Sequence, residues 1–202
     1  NLTQEQLQST LMPIGAYHKE EIRKIAEKID LRVSQKADSQ EICFVPDHDY
    51  SSFIEKETNK KYPSGNFVDL DGTVLGRHKG IIHYTVGQRK GLGISFGKPM
   101  YVYAIDVQNN EVILCENNAL FHHTLFAGNI NFMSLEKIEG EMRLEAKIRY
   151  SHKKAWCSVR MKNKNEIECI FDEPQRAITP GQAVVLYDGE YVAGGGTILG
   201  FQ

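Results

Sequence analysis

Several common functional features are missing from the sequence, and each absence narrows what the protein can do. No apolar run approaches the length of a membrane span, and the first six residues have neither the basic nor the apolar region of a secretory signal. No CxxC pair and no GxxxxGK(S/T) loop occurs, which excludes zinc-knuckle spacing and a Walker nucleotide site. We expect a cytoplasmic protein with no membrane partner.

A strong excess of positive charge is also missing. The net charge is -2 over 202 residues, so no global basic field attracts nucleic acid. Any surface for nucleic acid must therefore be local. The seven histidines are scattered along the chain, and we expect no metal site.

The cysteines divide into two groups by their surroundings. Three of the four lie in strand-like runs and are expected to be buried, as free cysteines commonly are: Cys115, Cys157 and Cys169. Cys43 lies at the junction between a helical and a strand-rich region, flanked by Ile42 and Phe44. Such a cysteine is more often a small core side chain than a nucleophile. Local sequence therefore favours a buried Cys43 and leaves a cleft-facing thiol open.

The first sixty residues carry helical patterns. Apolar residues recur at helical spacing between Lys19 and Ile29, which predicts a helix with one core-facing stripe. Asp47 or Asp49 can cap a further short helix. The breaker run Pro63-Ser64-Gly65 marks a domain boundary after this part of the chain.

The rest of the chain reads as short strands separated by turns. Asp71-Gly72 predicts a hairpin with a type I′ turn, and Asn109-Asn110 and Asp188-Gly189 indicate two further hairpins. We predict a strand at Ile81 to Val86 and an ordered loop at Asp172 to Gln182.

These patterns predict an α+β chain that is mainly β. A short helical segment at 1–61 precedes a small central β domain at 62–118, and a C-terminal antiparallel β-barrel follows at 119–202.

Local basic and aromatic residues are the candidates for ligand contact. Arg89 and Lys90 lie in a glycine-rich loop that suits an RNA backbone, although an ordinary solvated turn explains it equally well. Arg149 and Tyr150 end a strand, where they could contact phosphate and stack on a base, or simply belong to the rim of the fold. Gln182 follows Pro180 and Gly181 and could offer its amide to a base or a ribose.

Several motifs taken together resemble the bacterial tRNA-specific 2-thiouridylases. They occur in order along the whole chain: Leu2-Thr3-Gln4-Glu5-Gln6-Leu7, Leu11-Met12-Pro13-Ile14-Gly15, Asp38-Ser39-Gln40-Glu41-Ile42-Cys43-Phe44, Tyr84-Thr85-Val86-Gly87-Gln88-Arg89-Lys90-Gly91-Leu92-Gly93, Phe171-Asp172-Glu173-Pro174-Gln175-Arg176-Ala177, Thr179-Pro180-Gly181-Gln182 and Gly194-Gly195-Gly196.

The resemblance implies an enzyme that replaces O2 of the wobble uridine, at tRNA position 34, with sulfur after ATP has adenylated that oxygen. It implies that Cys43 carries the sulfur as a persulfide, and a thiolate suits that chemistry. It further implies that Arg149, Tyr150 and Gln182 contact tRNA. The implied partners are tRNAs such as those for lysine, glutamate and glutamine, and a sulfur donor such as a cysteine desulfurase or a sulfur carrier.

The family's SGGxDS phosphate loop and its first catalytic cysteine have no match in this sequence. We therefore expect a fragment in which ATP with magnesium would be bound by a preceding domain, with no cofactor held here and no thiolation by this chain alone. Two alternatives stay open. The chain could be an RNA-binding β module with an inert Cys43, or a sulfur-relay module that does not touch RNA.

Overall fold

The computed structural model describes residues 2–36, 44–45 and 49–202. The chain divides into two compact units, one formed by Thr3–Lys60 and the other by Lys61–Gln202 with the first two residues. Cys43 and Asp47 lie outside the described residues.

The first unit contains three described helices: α1 (Gln4–Gln8), α2 (Lys19–Lys28) and α3 (Tyr50–Thr58). Thr3 caps α1, because its hydroxyl accepts a hydrogen bond from Gln6 N at 3.2 Å. Asp49 caps α3 through a bond from Ser52 N at 3.0 Å, as the sequence predicts. The predicted core-facing stripe of α2 is wrong within the described part of the chain, because the helix has no buried residue and Ile29, which follows it, is 62% exposed.

The central sheet opens the second unit. It contains β1 (Gly65–Val68), β2 (Val74–His78), β3 (Tyr101–Asp106) and β4 (Glu111–Cys115) in the order β2-β1-β4-β3, with β1 and β4 parallel. The predicted hairpin at Asp71-Gly72 is present, but only Gly72 of the pair has a positive φ, so the turn is not type I′. The Asp69 carboxylate holds the turn by accepting bonds from Asp71 N and Thr73 N.

The predicted strand at Ile81 to Val86 is wrong. Residues Ile81–His83 form a 3₁₀ turn, which buries Ile81 and Tyr84 in the core of the central sheet. The Tyr84 ring packs edge-on against Phe67 with centroids 5.2 Å apart. A short apolar run fits either a strand or a helical turn, so its pattern alone could not decide between them.

A closed antiparallel barrel forms the C-terminal part, as predicted. Its strands are β5 (Phe121–Phe132), β6 (Glu141–Lys147), β7 (Ala155–Asn163), β8 (Glu166–Arg176), β9 (Ala183–Asp188) and β10 (Tyr191–Phe201), closed in the order β10-β5-β8-β7-β6-β9. Cys157 and Cys169 lie inside the barrel and Cys115 lies in a smaller core beside it, so the predicted burial of these cysteines is confirmed. The mainly β fold with a helical start, a small central sheet and a C-terminal barrel is also confirmed.

The predicted loop at Asp172 to Gln182 is shorter than expected. Strand β8 continues to Arg176, which pairs with Phe121 of β5. Pro174 is tolerated there because the pairing of β8 with β7 has ended at Phe171, and because the register with β5 shifts between His122 and Thr124. Among the described helices, none is long and apolar enough to cross a membrane.

Candidate nucleic-acid interface

Arg149 lies just beyond the end of β6 and points toward the turn that follows β8. Its Nη2 donates to the carbonyl oxygen of Ala177 at 2.9 Å and to Oγ1 of Thr179 at 2.7 Å. A third bond at 3.2 Å reaches the carbonyl oxygen of Val86 in the central part of the unit. The half-buried guanidinium therefore joins three separate segments of the chain.

The turn held by Arg149 carries Gln182. Gln182 N donates to the Thr179 carbonyl at 3.2 Å, and its own carbonyl accepts from Ile198 N at 2.8 Å. These two bonds hold the backbone of Gln182 in place, and Gln182 is exposed to solvent. Ala177, at the start of the turn, adopts a positive φ of 55°, which a non-glycine residue rarely does.

Tyr150 differs from its neighbour Arg149 in its exposure to solvent. It is 99% exposed, whereas Arg149 is half-buried. An aromatic ring that is fully open to solvent at a strand end is available for stacking.

Arg176 is a member of this site that the sequence analysis did not single out. Its Nε donates to Oδ1 of Asn117 at 3.1 Å, and its Nη2 donates to the Gly87 carbonyl at 3.5 Å. The guanidinium also lies over the Tyr101 ring, 5.2 Å from its centroid. The sequence around Arg176 predicts a loop and carries no local signal for this position at the end of β8.

Within the described ranges, the charges at this site are not neutralised by neighbouring carboxylates. In the part of the chain that the structure describes, neither Arg149 nor Arg176 forms an ion pair with a carboxylate. Burial lowers the pKa of Arg149, and the charge of Arg176 lowers it further. Burial, then Arg149 and then Arg176, lower the pKa of His152 in the same way. The site thus has a local positive potential although the whole chain is slightly acidic.

The glycine-rich loop with Arg89 and Lys90 reaches the same site through its backbone. Val86 and Gly87 supply the carbonyl oxygens that accept from the two arginines, and Gly87 N donates to the Val102 carbonyl at 2.7 Å. Arg89 and Lys90 follow after Gln88 and are exposed. The backbone of this loop therefore contacts both arginines of the site, although the loop and the arginines are far apart in sequence.

We call this set the basic face: Arg89, Lys90, Arg149, Tyr150, Arg176 and Gln182. The structure links Arg149, Arg176 and the backbone of Gln182 by the bonds above, and it leaves Tyr150 open to solvent. Cys43, the predicted sulfur carrier, lies outside the described residues.

The other three cysteines are poor candidates for chemistry. Burial raises the pKa of Cys115 to about 11, against a smaller opposing effect of Arg176. The pKa of Cys169 is raised by its contact with Cys157 and by burial. Thiols held in the protonated form are weak nucleophiles.

Comparison with known families agrees with this architecture. A tRNA methyl transferase HUP domain matches residues 1–47, a tRNA methyl transferase PRC-barrel domain matches 51–116, and an aminomethyltransferase beta-barrel domain matches 122–198. The chain thus matches a HUP-type segment followed by two barrel-type domains, in that order.

Individual relatives narrow the family. The tRNA-specific 2-thiouridylase MnmA of Lachnoclostridium phytofermentans is 56% identical over 199 residues, which cover 98% of this chain and 56% of the relative. The proteins of the same name from Acetivibrio thermocellus and Clostridioides difficile are 54% and 51% identical, again over 98% of this chain and 55% of each relative. The chain belongs to the tRNA-specific 2-thiouridylase family and spans about half the length of these relatives.

Proposed function

We propose that this chain is the tRNA-holding and sulfur-carrying part of an enzyme that thiolates the wobble uridine of tRNA. In this proposal the basic face binds the phosphate backbone, Tyr150 stacks on a base and Gln182 contacts a base or a ribose. Cys43 carries the transferred sulfur as a persulfide, supplied by a protein donor. The setting is the cytoplasm, where thiols stay reduced.

The observation that carries the proposal is a pair of guanidinium groups that have no carboxylate partner among the described residues. Two half-buried like charges that repel each other gain stability when an anion arrives. Arginine also presents several N–H groups in a planar fork that fits phosphate. Arg149 uses only Nη2 in its three bonds with other described residues, so the N–H groups of Nε and Nη1 are available. An RNA phosphate satisfies both the charge and the donors.

The residues of this chain do not fit a site for ATP with magnesium. The sequence has no SGGxDS or Walker loop, and within the described ranges no group of three or more His, Cys, Asp or Glu residues could hold a metal ion. We therefore assign no nucleotide-dependent step to these residues.

The RNA-binding part is tested by filter binding of an unmodified tRNA transcript to the 202-residue chain. We expect affinity to fall steeply when the salt concentration is raised, because phosphate contacts release counterions. Tyr150→Ala should weaken binding by about 1–3 kcal/mol at either salt concentration, the usual contribution of one stacked base.

Tyr191→Ala is the matched control, because Tyr191 is also an exposed tyrosine on the barrel, 74% exposed, and lies at the start of β10, outside the set of residues that defines the basic face. This variant should bind like the wild type. Equal losses in the two variants, or no binding by the wild type, would contradict the proposal.

The sulfur-carrying part is tested by alkylation of the native protein. We expect one fast-reacting thiol, because Cys115, Cys157 and Cys169 are buried and shielded from an alkylating reagent. Cys43→Ser should abolish the fast reaction and leave tRNA binding intact. A native protein with no reactive thiol would instead favour an RNA-binding module without chemistry, and a reactive Cys43 without tRNA binding would favour a sulfur-relay module.

A further inference from the structure

An apolar cavity adjoins the basic face. Its volume is about 340 Å³, and it lies between the central sheet and the barrel within the second unit. It is lined by the Tyr84 segment, by β3, by the Thr179 turn and by the end of β10; the lining residues used below are Thr85, Val86, Tyr103, Ala104, Thr179 and Phe201. Two of these residues, Val86 and Thr179, are the bonding partners of Arg149.

Aromatic rings dominate one side of this cavity. The register of β3 with β4 shifts between Val102 and Ala104, so that Tyr103 lies in a bulge. Bulges often re-aim a side chain near a functional site. The Tyr103 ring lies 5.8 Å from the Phe201 ring in an edge-on arrangement, and both residues are only half-buried. The cavity thus offers ring surface that is accessible from outside.

The cavity also has polar groups at its lining. In the described part of the chain, no hydrogen bond to another residue is made by the hydroxyl groups of Thr85 and Tyr103. The Thr179 hydroxyl accepts from Arg149 and donates to Ala177, which leaves one lone pair for a further donor. A ligand that fits must be flat and apolar on its faces and polar at its edge.

We propose that this cavity receives one unstacked nucleobase of a bound RNA while the adjoining phosphate lies against Arg149. The inference rests on the proposed tRNA binding and adds a base-binding pocket to it. Proteins that read RNA commonly take single-stranded bases between aromatic side chains and hydrogen-bond their edges. The volume is in the range of pockets for small ligands. A purely apolar partner would gain nothing from the positive charge of Arg149, which is bonded to two residues of the cavity lining.

Filling the cavity provides the test. Ala104→Leu enlarges one residue of the lining, and the affinity for an unmodified tRNA transcript should fall about tenfold or more, as expected for the loss of one stacked base. Val192→Leu is the control, since Val192 lines a different groove of about 320 Å³ whose lining residues include no aromatic ring. Its affinity should equal that of the wild type.

A second measurement uses the wild-type chain and does not depend on how a variant folds. Ultraviolet crosslinking of the same transcript should give a nucleotide adduct on Tyr103 or Phe201, identified by mass spectrometry. If the wild type does not bind tRNA at all, the proposed function fails with the pocket. If tRNA binds and Tyr150→Ala weakens it, while Ala104→Leu binds normally and no adduct forms on Tyr103 or Phe201, only the pocket is overturned.

Discussion

Replacing Arg149 by alanine should destabilise the fold as well as weaken RNA binding. The side chain donates from one nitrogen, Nη2, to three acceptors on Val86, Ala177 and Thr179. Because Nη2 carries two hydrogens, its contacts with the three acceptors together amount to about two full hydrogen bonds. At about 1.5 kcal/mol for each bond from a charged donor, the loss is about 3 kcal/mol of unfolding free energy. For a domain of this size, the melting temperature should fall by about 6–12 °C.

Urea unfolding of the single and double variants measures this directly. The cycle combines Arg149→Ala with Thr179→Val, because the shortest of the three bonds joins these two side chains at 2.7 Å. We expect a coupling energy of at least about 1 kcal/mol between them. The fully exposed Tyr150 provides the control, since Tyr150→Ala should change stability by no more than about 0.5 kcal/mol. A coupling energy near zero, or an equally unstable Tyr150 variant, would refute the reasoning.

Two further predictions concern packing and charge. Gly195→Ala should lower the unfolding free energy by about 1–3 kcal/mol in the urea assay, because the added Cβ would lie 2.3 Å from the Val184 carbonyl oxygen. Gly200→Ala on the same strand is the control and should be nearly neutral, because a Cβ there meets nothing within 4 Å. The pKa of His152, which burial lowers most and Arg149 and Arg176 lower further, should rise in Arg176→Gln and stay unchanged in Arg143→Gln when followed by NMR. The pKa of His152 in the folded state lies below its ordinary value. At a pH between these two pKa values, unfolding is accompanied by uptake of a proton on His152, so the free energy of unfolding decreases as the pH falls through this range. An unchanged pKa in Arg176→Gln would show that the two groups do not interact.

The sequence predicted those parts of the fold that rest on periodicity and turn chemistry. Many short strands separated by turn signals, with Asp188-Gly189 in the barrel itself, were sufficient to predict a C-terminal barrel, and the burial of Cys157 and Cys169 followed from their strands. The error at Ile81 to Val86 has a tertiary cause, because the segment turns to bury Tyr84 against Phe67. The domain boundaries at 61/62 and 118/119, and the roles of Cys43, Arg149, Tyr150 and Gln182, stay predictions.

Arg176 shows why part of the candidate site could not be predicted. Its side chain contacts Asn117, Gly87 and Tyr101. The two hydrogen-bonded partners, Asn117 and Gly87, lie 59 and 89 residues away in the chain. No local pattern reports such a meeting of segments. Position in the chain likewise did not show that Arg149 and Arg176 interact electrostatically while neither has a carboxylate partner in the described part of the chain, which is the feature that points to an anion.

Arg149 and Tyr150 are adjacent in sequence but differ in what a binding assay can show. Because Arg149 fixes the turn that carries Gln182, its replacement changes the shape of the basic face as well as its charge. A loss of tRNA affinity in Arg149→Ala would therefore not by itself demonstrate a phosphate contact. Tyr150 makes no comparable side-chain contribution to the described fold, so a loss in Tyr150→Ala reports on contact with RNA. The contribution of Arg149 follows by comparison with Arg149→Lys: this variant keeps the charge but not the planar fork, so it should retain the salt dependence of binding while losing the stability measured in the urea cycle.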